Sequence, residues 1–340
     1  MHGSLNEELR FLQSSLEGLA RALAVTNPDD ASAQRTKSSQ LLNSSGLSLL
    51  GGPIDSGGAS STMQMSVITE TIGSACASAD FLGTSLLAPH LLMCANLTSH
   101  DHPMTASSQR LAVGFNPNLL SLAHGTTATM AVVDIGTGAH TALHLDVNGE
   151  YLLASAIPAG TPSVGEDPGR RIVMFPTDNS VPIGEMSSIG LERWKRYAFI
   201  AIASELMGLM QGAFNMTVAY AKTRSQFGRP IGSFQSIQHM LADCHSRIEA
   251  VRSIVRSAAA DEDLRGSRLH LARAAKITAS ESSLFVIETC IQIHGGIGHT
   301  WEYPLHLYLR RAMFDRQLLG NEMTLINEVA RDLLTESEQQ

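Results

Sequence analysis

Apolar residues recur three and four apart at both ends of this chain, and that period breaks down in the middle. Leu9, Leu12, Leu16, Leu19 and Leu23 lie on one helical face near the start. The polar stretch Thr26–Ser39, rich in Asp, Ser and Asn, reads as a loop. So does the Gly- and Ser-rich passage Gly51–Thr62. Apolar helical segments follow around Met65–Cys76 and Ala79–Leu97, so residues 1–98 are expected to form a small helical domain.

Residues 99–188 have a different texture. Short apolar runs, Thr129–Ile135, Thr141–Leu145 and Ile172–Phe175, alternate with Gly, Asn, Asp and Pro, which predicts an antiparallel β domain. Asn148-Gly149 suits a hairpin turn, because both residues tolerate positive φ. From 189 to 340 the helical period returns. Phe234, Ile237, Leu241, Cys244, Ile248, Val251 and Val255 make one continuous stripe. Further helices are predicted over Leu191–Thr223 and Arg268–Ile293. Asn321 is placed to cap a last helix that buries Ile326, Val329 and Leu333. The fold class is therefore α+β, predominantly α, with a helical domain, a β domain and a four-helix bundle.

Composition narrows the function. A length of 340 residues exceeds one compact core, which agrees with several units. The net charge is −8 with no basic block, so nothing invites a nucleic-acid backbone. Cys76, Cys94, Cys244 and Cys290 form no close pair, which favours reduced thiols and gives no zinc site. Charged residues come early, at Glu7, Glu8 and Arg10, and no apolar run is read as a membrane span. The expectation is a soluble, cytoplasmic protein.

Two segments of the last region carry chemistry. The first is Ala219-Tyr220-Ala221-Lys222-Thr223-Arg224-Ser225-Gln226-Phe227-Gly228-Arg229-Pro230-Ile231-Gly232-Ser233-Phe234-Gln235-Ser236-Ile237-Gln238. The second is Ile291-Gln292-Ile293-His294-Gly295-Gly296-Ile297-Gly298-His299-Thr300-Trp301-Glu302-Tyr303-Pro304-Leu305. An arginine can fork onto phosphate oxygens, a phenylalanine can cover a flat ring, and glycines let backbone approach a phosphate. Each segment taken alone also reads as plain structure: Phe227-Gly228-Arg229-Pro230 as a turn between helices, and Gly295-Gly296 as a helix C-cap. His294 reads as a structural histidine and Trp301 as a packing residue.

Together, in this order and gap, the segments resemble the C-terminal signatures of the acyl-CoA dehydrogenase family. Asp167-Pro168-Gly169-Arg170-Arg171 resembles a segment late in that family's β domain. The resemblance implies the acyl-CoA dehydrogenase fold and the cofactor FAD, with these groups reaching across to a flavin held mainly by the neighbouring subunit. By that resemblance the contact falls to Arg224, Gln226, Phe227, Ile231, Phe234, Ile237, Gln292, Gly295 and Gly296.

The catalytic half of the pattern departs from the family. The glutamate expected just before a glycine is replaced by Leu319, ahead of Gly320. The alternative base position, on the first bundle helix, falls at or near Ala198. Glu205 and Glu322 are the carboxylates that remain as substitutes. The β-domain motifs that hold a flavin ring are absent, and Trp194 and Trp301 are the sole tryptophans. This combination resembles the base-lacking subunit of actinobacterial heterotetrameric acyl-CoA dehydrogenases of steroid side-chain breakdown. The implied partners are a second, different family chain in an α2β2 assembly, an acyl-CoA substrate and an electron-transfer flavoprotein or similar acceptor. A homomeric enzyme with a displaced base and a flavin-free scaffold subunit remain as alternatives.

Overall fold

The computed structural model describes residues 7–25, 29, 31–53, 58–59, 61–98, 101–105, 110–125, 128–136, 138, 140–165, 167–260 and 269–338. The first region folds into α1 (Glu7–Leu23), α2 (Ala31–Ser44), α3 (Thr62–Ser74) and a π-helical turn, Leu82–Leu87, that runs into α4 (Ala88–Cys94). Ser61 caps α3 by accepting the Gln64 N–H at 3.1 Å. The stretch read as a loop over Thr26–Ser39 is helical from Ala31 onward. Its anchors are polar and so leave no apolar period: Arg35 pairs with Asp80 at 3.7 Å and donates to the Pro168 carbonyl at 3.0 Å. Residues 26–28 and 30 lie outside the described residues.

The middle region forms one six-stranded sheet: β1 (Arg110–Phe115), β2 (Thr129–Val133), β3 (His140–Leu145), β4 (Tyr151–Ile157), β5 (Ile172–Pro176) and β6 (Val181–Glu185). The order is β5-β2-β1-β3-β4-β6. The sheet is mixed rather than antiparallel, because β1 and β3 run parallel. After pairing along one side of β1 through β2, the chain crosses to the other side, which sets β3 in the direction of β1. Apolar alternation marks strands but not their directions. The β3–β4 turn forms where expected. Gly149 takes φ +75° and donates to the Asp146 carbonyl at 3.2 Å, while Asn148 is not left-handed. One sheet face joins the main core; the other closes a small cluster around Met130, Val132, Ala142 and Val173.

The bundle contains α5 (Ser188–Thr223), α6 (Gln235–Ala260), α7 (Leu269–His294), α8 (Leu305–Gln317) and α9 (Glu322–Glu338), with a short hairpin, β7 (Ser225–Gln226) and β8 (Arg229–Pro230), between α5 and α6. By length and composition α5 is apolar enough to cross a membrane, a feature missed in the sequence. However, 89% of its apolar window is buried inside the protein, which makes it a core helix. It lies in backbone contact with α3. A Cβ at Gly208 would sit 2.2 Å from the Glu70 carbonyl oxygen, and one at Gly212 would sit 2.0 Å from that of Ser74. Only glycine permits this approach.

Asn321 caps α9, accepting the Thr324 N–H at 3.0 Å. The buried residue of α9 is Leu325, while Ile326 is exposed and Val329 half-buried; the side chain of Leu333 lies outside the described set. Arg273 of α7 pairs with Glu328 and Asp332, so the face carrying Leu325, Glu328 and Asp332 turns toward α7. That is a rotation of about one residue, roughly 100°, from the face chosen by apolar period.

Candidate cofactor-contact surface and buried ionic junction

The first signature ends α5 and turns back through the β7–β8 hairpin. Phe227 and Gly228 take φ +52° and +79°, the two left-handed residues of a type I′ turn. Phe227 is 93% exposed and meets Phe234 edge-on at 6.2 Å, while the Arg229 guanidinium covers Phe234 at 4.1 Å. The Ile231 N–H donates to the Arg224 carbonyl at 2.8 Å and closes the loop. Arg224 and Gln226 are exposed; Ile231, Phe234 and Ile237 are half-buried. Arg224 forms no ion pair with another described residue.

The second signature ends α7. Gln292, Gly295 and Gly296 are exposed, Gly295 has φ +64°, and a Cβ at either glycine would meet nothing within 4 Å. His294 ties the two segments together. Its ring stacks on Tyr220, at the end of α5, with centroids 4.2 Å apart. Nδ1 donates to the Cys290 carbonyl at 2.8 Å, which leaves Nε2 to accept from the Tyr303 hydroxyl at 3.0 Å. Burial lowers its pKa, in keeping with that neutral form. His294 is thus a structural residue, as expected. Trp301 departs from its expected packing role: it is 43% exposed and donates to Asp29 at 2.9 Å.

The structure therefore brings all nine sequence-predicted residues to one end of the bundle, where α5 and α7 end and α6 begins. A projecting ring, an unpaired guanidinium, two amides and open glycine backbone face outward together. Such a set fits a dinucleotide approached from outside, with the arginine toward phosphate.

The interior tells a different story. Leu319 is buried, has φ +62°, and donates its N–H to the Leu119 carbonyl at 2.8 Å. Ala198 is fully buried. Glu205 accepts from Arg170 at 2.8 and 2.9 Å and from Arg311 at 3.1 Å. Burial opposes its ionisation, but the two guanidiniums outweigh burial and hold its pKa below the ordinary range. Glu322 is also burdened by burial, yet its bond to Arg316 lowers it. A general base taking a carbon-bound proton needs the opposite shift.

Glu205 belongs to a cluster that sequence reasoning missed. Arg170 also contacts Asp134 at 3.0 Å and Asp315; Arg311 bonds Asp167 and the Ala77 carbonyl. The available signal was Arg311 and Asp315 placed i, i+4 among apolar residues of a predicted bundle. Beside the cluster lies a cavity of about 10 Å³, lined by Thr69, Ile72, Phe81 and Glu205 among others, which is room for about one water. Lys276, fully buried, donates to the Arg316 and Gly320 carbonyls at 3.0 and 3.4 Å and pins the segment that carries Leu319.

Comparisons with known proteins extend this picture. Residues 194–334 match the family model for the acyl-CoA dehydrogenase C-terminal domain. The acyl-CoA dehydrogenase IpdE2 of Mycobacterium tuberculosis is 31% identical over 282 residues, 83% of this chain and 81% of that protein. Among solved structures, a chain of the ChsE4–ChsE5 complex from Mycobacterium tuberculosis superposes with a TM-score of 0.75 at 19% identity, over 98% of this chain and 99% of that one. A variant of the Tcur3481–Tcur3483 steroid ACAD gives 0.75 at 23% identity, over 98% and 100%.

Proposed function

The chain belongs to the acyl-CoA dehydrogenase family, and from that premise we propose that it is the base-lacking subunit of a heteromeric, FAD-dependent acyl-CoA dehydrogenase. The observation that carries the reading is the state of the base positions. By the resemblance they fall at Leu319 and at or near Ala198, and the two substitute carboxylates, Glu205 and Glu322, are both held low by arginines. The homomeric alternative needs a carboxyl with raised basicity at one of those places.

The outward surface has the complementary half of a site. Arg224 would take the pyrophosphate, Gln226 and Gln292 would offer amides to sugar or adenine edges, and Phe227 would cover a ring. Ile231, Phe234 and Ile237 would line the apolar side, with Gly295 and Gly296 giving backbone access. Bound FAD supplies the acceptor for the hydride that leaves the acyl β-carbon. This chain's residues bind and orient it and shield it from water, and the partner contributes the carboxylate that takes the α-proton.

The reaction is 2,3-dehydrogenation of an acyl-CoA, with an electron-transfer flavoprotein or similar acceptor downstream. A steroid side-chain thioester is the favoured substrate. Its support is that one structural neighbour is named as the ChsE4–ChsE5 complex and another as the Tcur3481–Tcur3483 steroid ACAD. The test is co-expression with a family member that has a glutamate at the position of Leu319. Flavin absorbance and acyl-CoA-dependent dye reduction are expected from the pair and not from the lone chain. Steady turnover by the lone chain would overturn the reading.

A further inference from the structure

The junction between sheet and bundle buries more acids than bases. Arg170 and Arg311 face four carboxyls, Asp134, Asp167, Glu205 and Asp315, and all six residues are at most 6% exposed. Three of those carboxyls converge on the single guanidinium of Arg170. Arg311 is shared between Asp167 and Glu205.

The acids are not equally served. Glu205 is held by both arginines. Asp167 accepts from Arg311 and from the Gly169 N–H at 2.8 Å. Asp134 accepts the Gly83 N–H at 2.9 Å through Oδ2, while its Oδ1 makes no hydrogen bond among the described residues but lies 3.0 Å from Nε of Arg170. Asp315 places Oδ1 on Arg170, while its Oδ2 is buried with no hydrogen-bond partner among the described residues.

Nearby cations do not make up the difference. Lys276, on α7, directs its ammonium to Ser280 and to the Arg316 and Gly320 carbonyls. Arg171 is used by the Ile135, Gly136 and Thr161 carbonyls, and Arg35 pairs with Asp80. The Cys76 thiol, which follows α3, is pushed up to about 12 by burial and stays neutral. An uncompensated carboxylate in such a place is costly, and a neutral carboxyl is the ordinary escape.

We propose that Asp315 keeps its proton at neutral pH, and that the neutral carboxyl lets the junction act as a clamp joining the sheet, the segment after α3, α5 and α8. The clamp is independent of whether the chain touches flavin. Its electrostatics agree in direction: burial raises Asp315 well above the usual carboxylate range, Arg170 and Arg311 oppose this, and Glu205 and Asp134 reinforce it.

The sign of the pH dependence follows. A carboxyl raised in the folded state gives stability that is complete below its unfolded value, near 3.8, and declines as pH rises toward the folded value. Mild alkali should therefore loosen the contact of sheet on bundle, and Asp315→Asn should abolish that component, since an amide stays neutral.

The experiment uses the full-length chain in the assembly in which it purifies. Proton release on denaturation near pH 7 is measured for wild type and Asp315→Asn in buffers of different ionisation enthalpy. Wild type is expected to release about one proton more than the variant, and the variant is expected to lose part of the decline in Tm with rising pH. Equal proton release would overturn the clamp, as would an Asp315→Asn protein unable to fold, because that result assigns the stability to the charge. A measurement without any variant is the infrared stretch of a protonated carboxyl in the native protein at neutral pH. Its absence would also overturn the proposal.

Discussion

Phe227 stands in the left-handed region with 93% of its surface in solvent. A bulky residue at φ +52° costs roughly 1–2 kcal/mol relative to glycine, and an exposed ring recovers little of that within one chain. The cost is understandable if the ring covers something that another molecule supplies. Phe227→Gly should therefore leave Tm unchanged or raise it slightly while lowering flavin retention of the assembled enzyme. A loss of Tm with flavin content intact would make the ring structural. Arg224 supports a separate test. Removing a charge-assisted phosphate contact typically costs about 1.5–3 kcal/mol, so Arg224→Ala should weaken flavin binding by roughly ten- to a hundredfold. Flavin-to-protein ratio after gel filtration is the readout, and an unchanged ratio removes Arg224 from the site.

At the scale of elements, α4 and α5 meet through a histidine that cannot easily charge. His90 stacks on Tyr197 at 3.7 Å, with Nδ1 3.3 Å from the Gly51 carbonyl oxygen. Burial pushes its pKa from 6.5 down to about 3. A histidine depressed in the folded state contributes stability that is present above the unfolded value and lost as pH falls from 6.5 toward 3. His90→Phe keeps a stacking ring and removes the titration. Its Tm should thus fall less steeply than that of wild type on acidification below pH 6.5, as followed by thermal melts; parallel curves would show that His90 is not the titrating group. Asp80, raised to about 6 chiefly by burial, works in the opposite sense, losing its contribution as pH rises through that value, so the difference between the two proteins is the informative quantity.

Elements were legible where apolar period governs. The stripe from Cys244 to Val255 is buried on α6, and Asn321 caps α9. Legibility failed where polar contacts set the geometry. Helix α2 is anchored by Arg35, and α9 is rotated by Glu328 and Asp332 pairing with Arg273. The nine surface residues could be placed together because they lie in two contiguous segments. The ionic junction as a whole could not, because its members come from the residue after β2, the segment before β5, α5 and α8, and nothing local joins those four places.

For the whole molecule, surface and interior have separate fates. The N-terminal part of the α6 stripe, Phe234, Ile237 and Leu241, remains half-buried in the single chain, beside the exposed Phe227 and Arg224. Inside, α3 and α5 are in backbone contact at Gly208 and Gly212, and the space between them and the sheet is filled by Arg170, Glu205 and Arg311 around a cavity of about 10 Å³. Ligand pockets for drug-sized molecules usually span roughly 300–1,000 Å³, so that cavity takes no acyl chain. Restoring a carboxylate alone should not restore chemistry, because Leu319 is buried by its own surroundings and the cavity at the junction is too small for an acyl chain. Leu319→Glu, assembled with a partner whose own glutamate has been changed to glutamine, is expected to show no acyl-CoA-dependent dye reduction. Its Tm should also fall, since the new carboxyl would enter a site now only 6% exposed and lined for leucine. Measurable turnover from that assembly would mean that the interior opens to substrate, and would return the catalytic role to this chain.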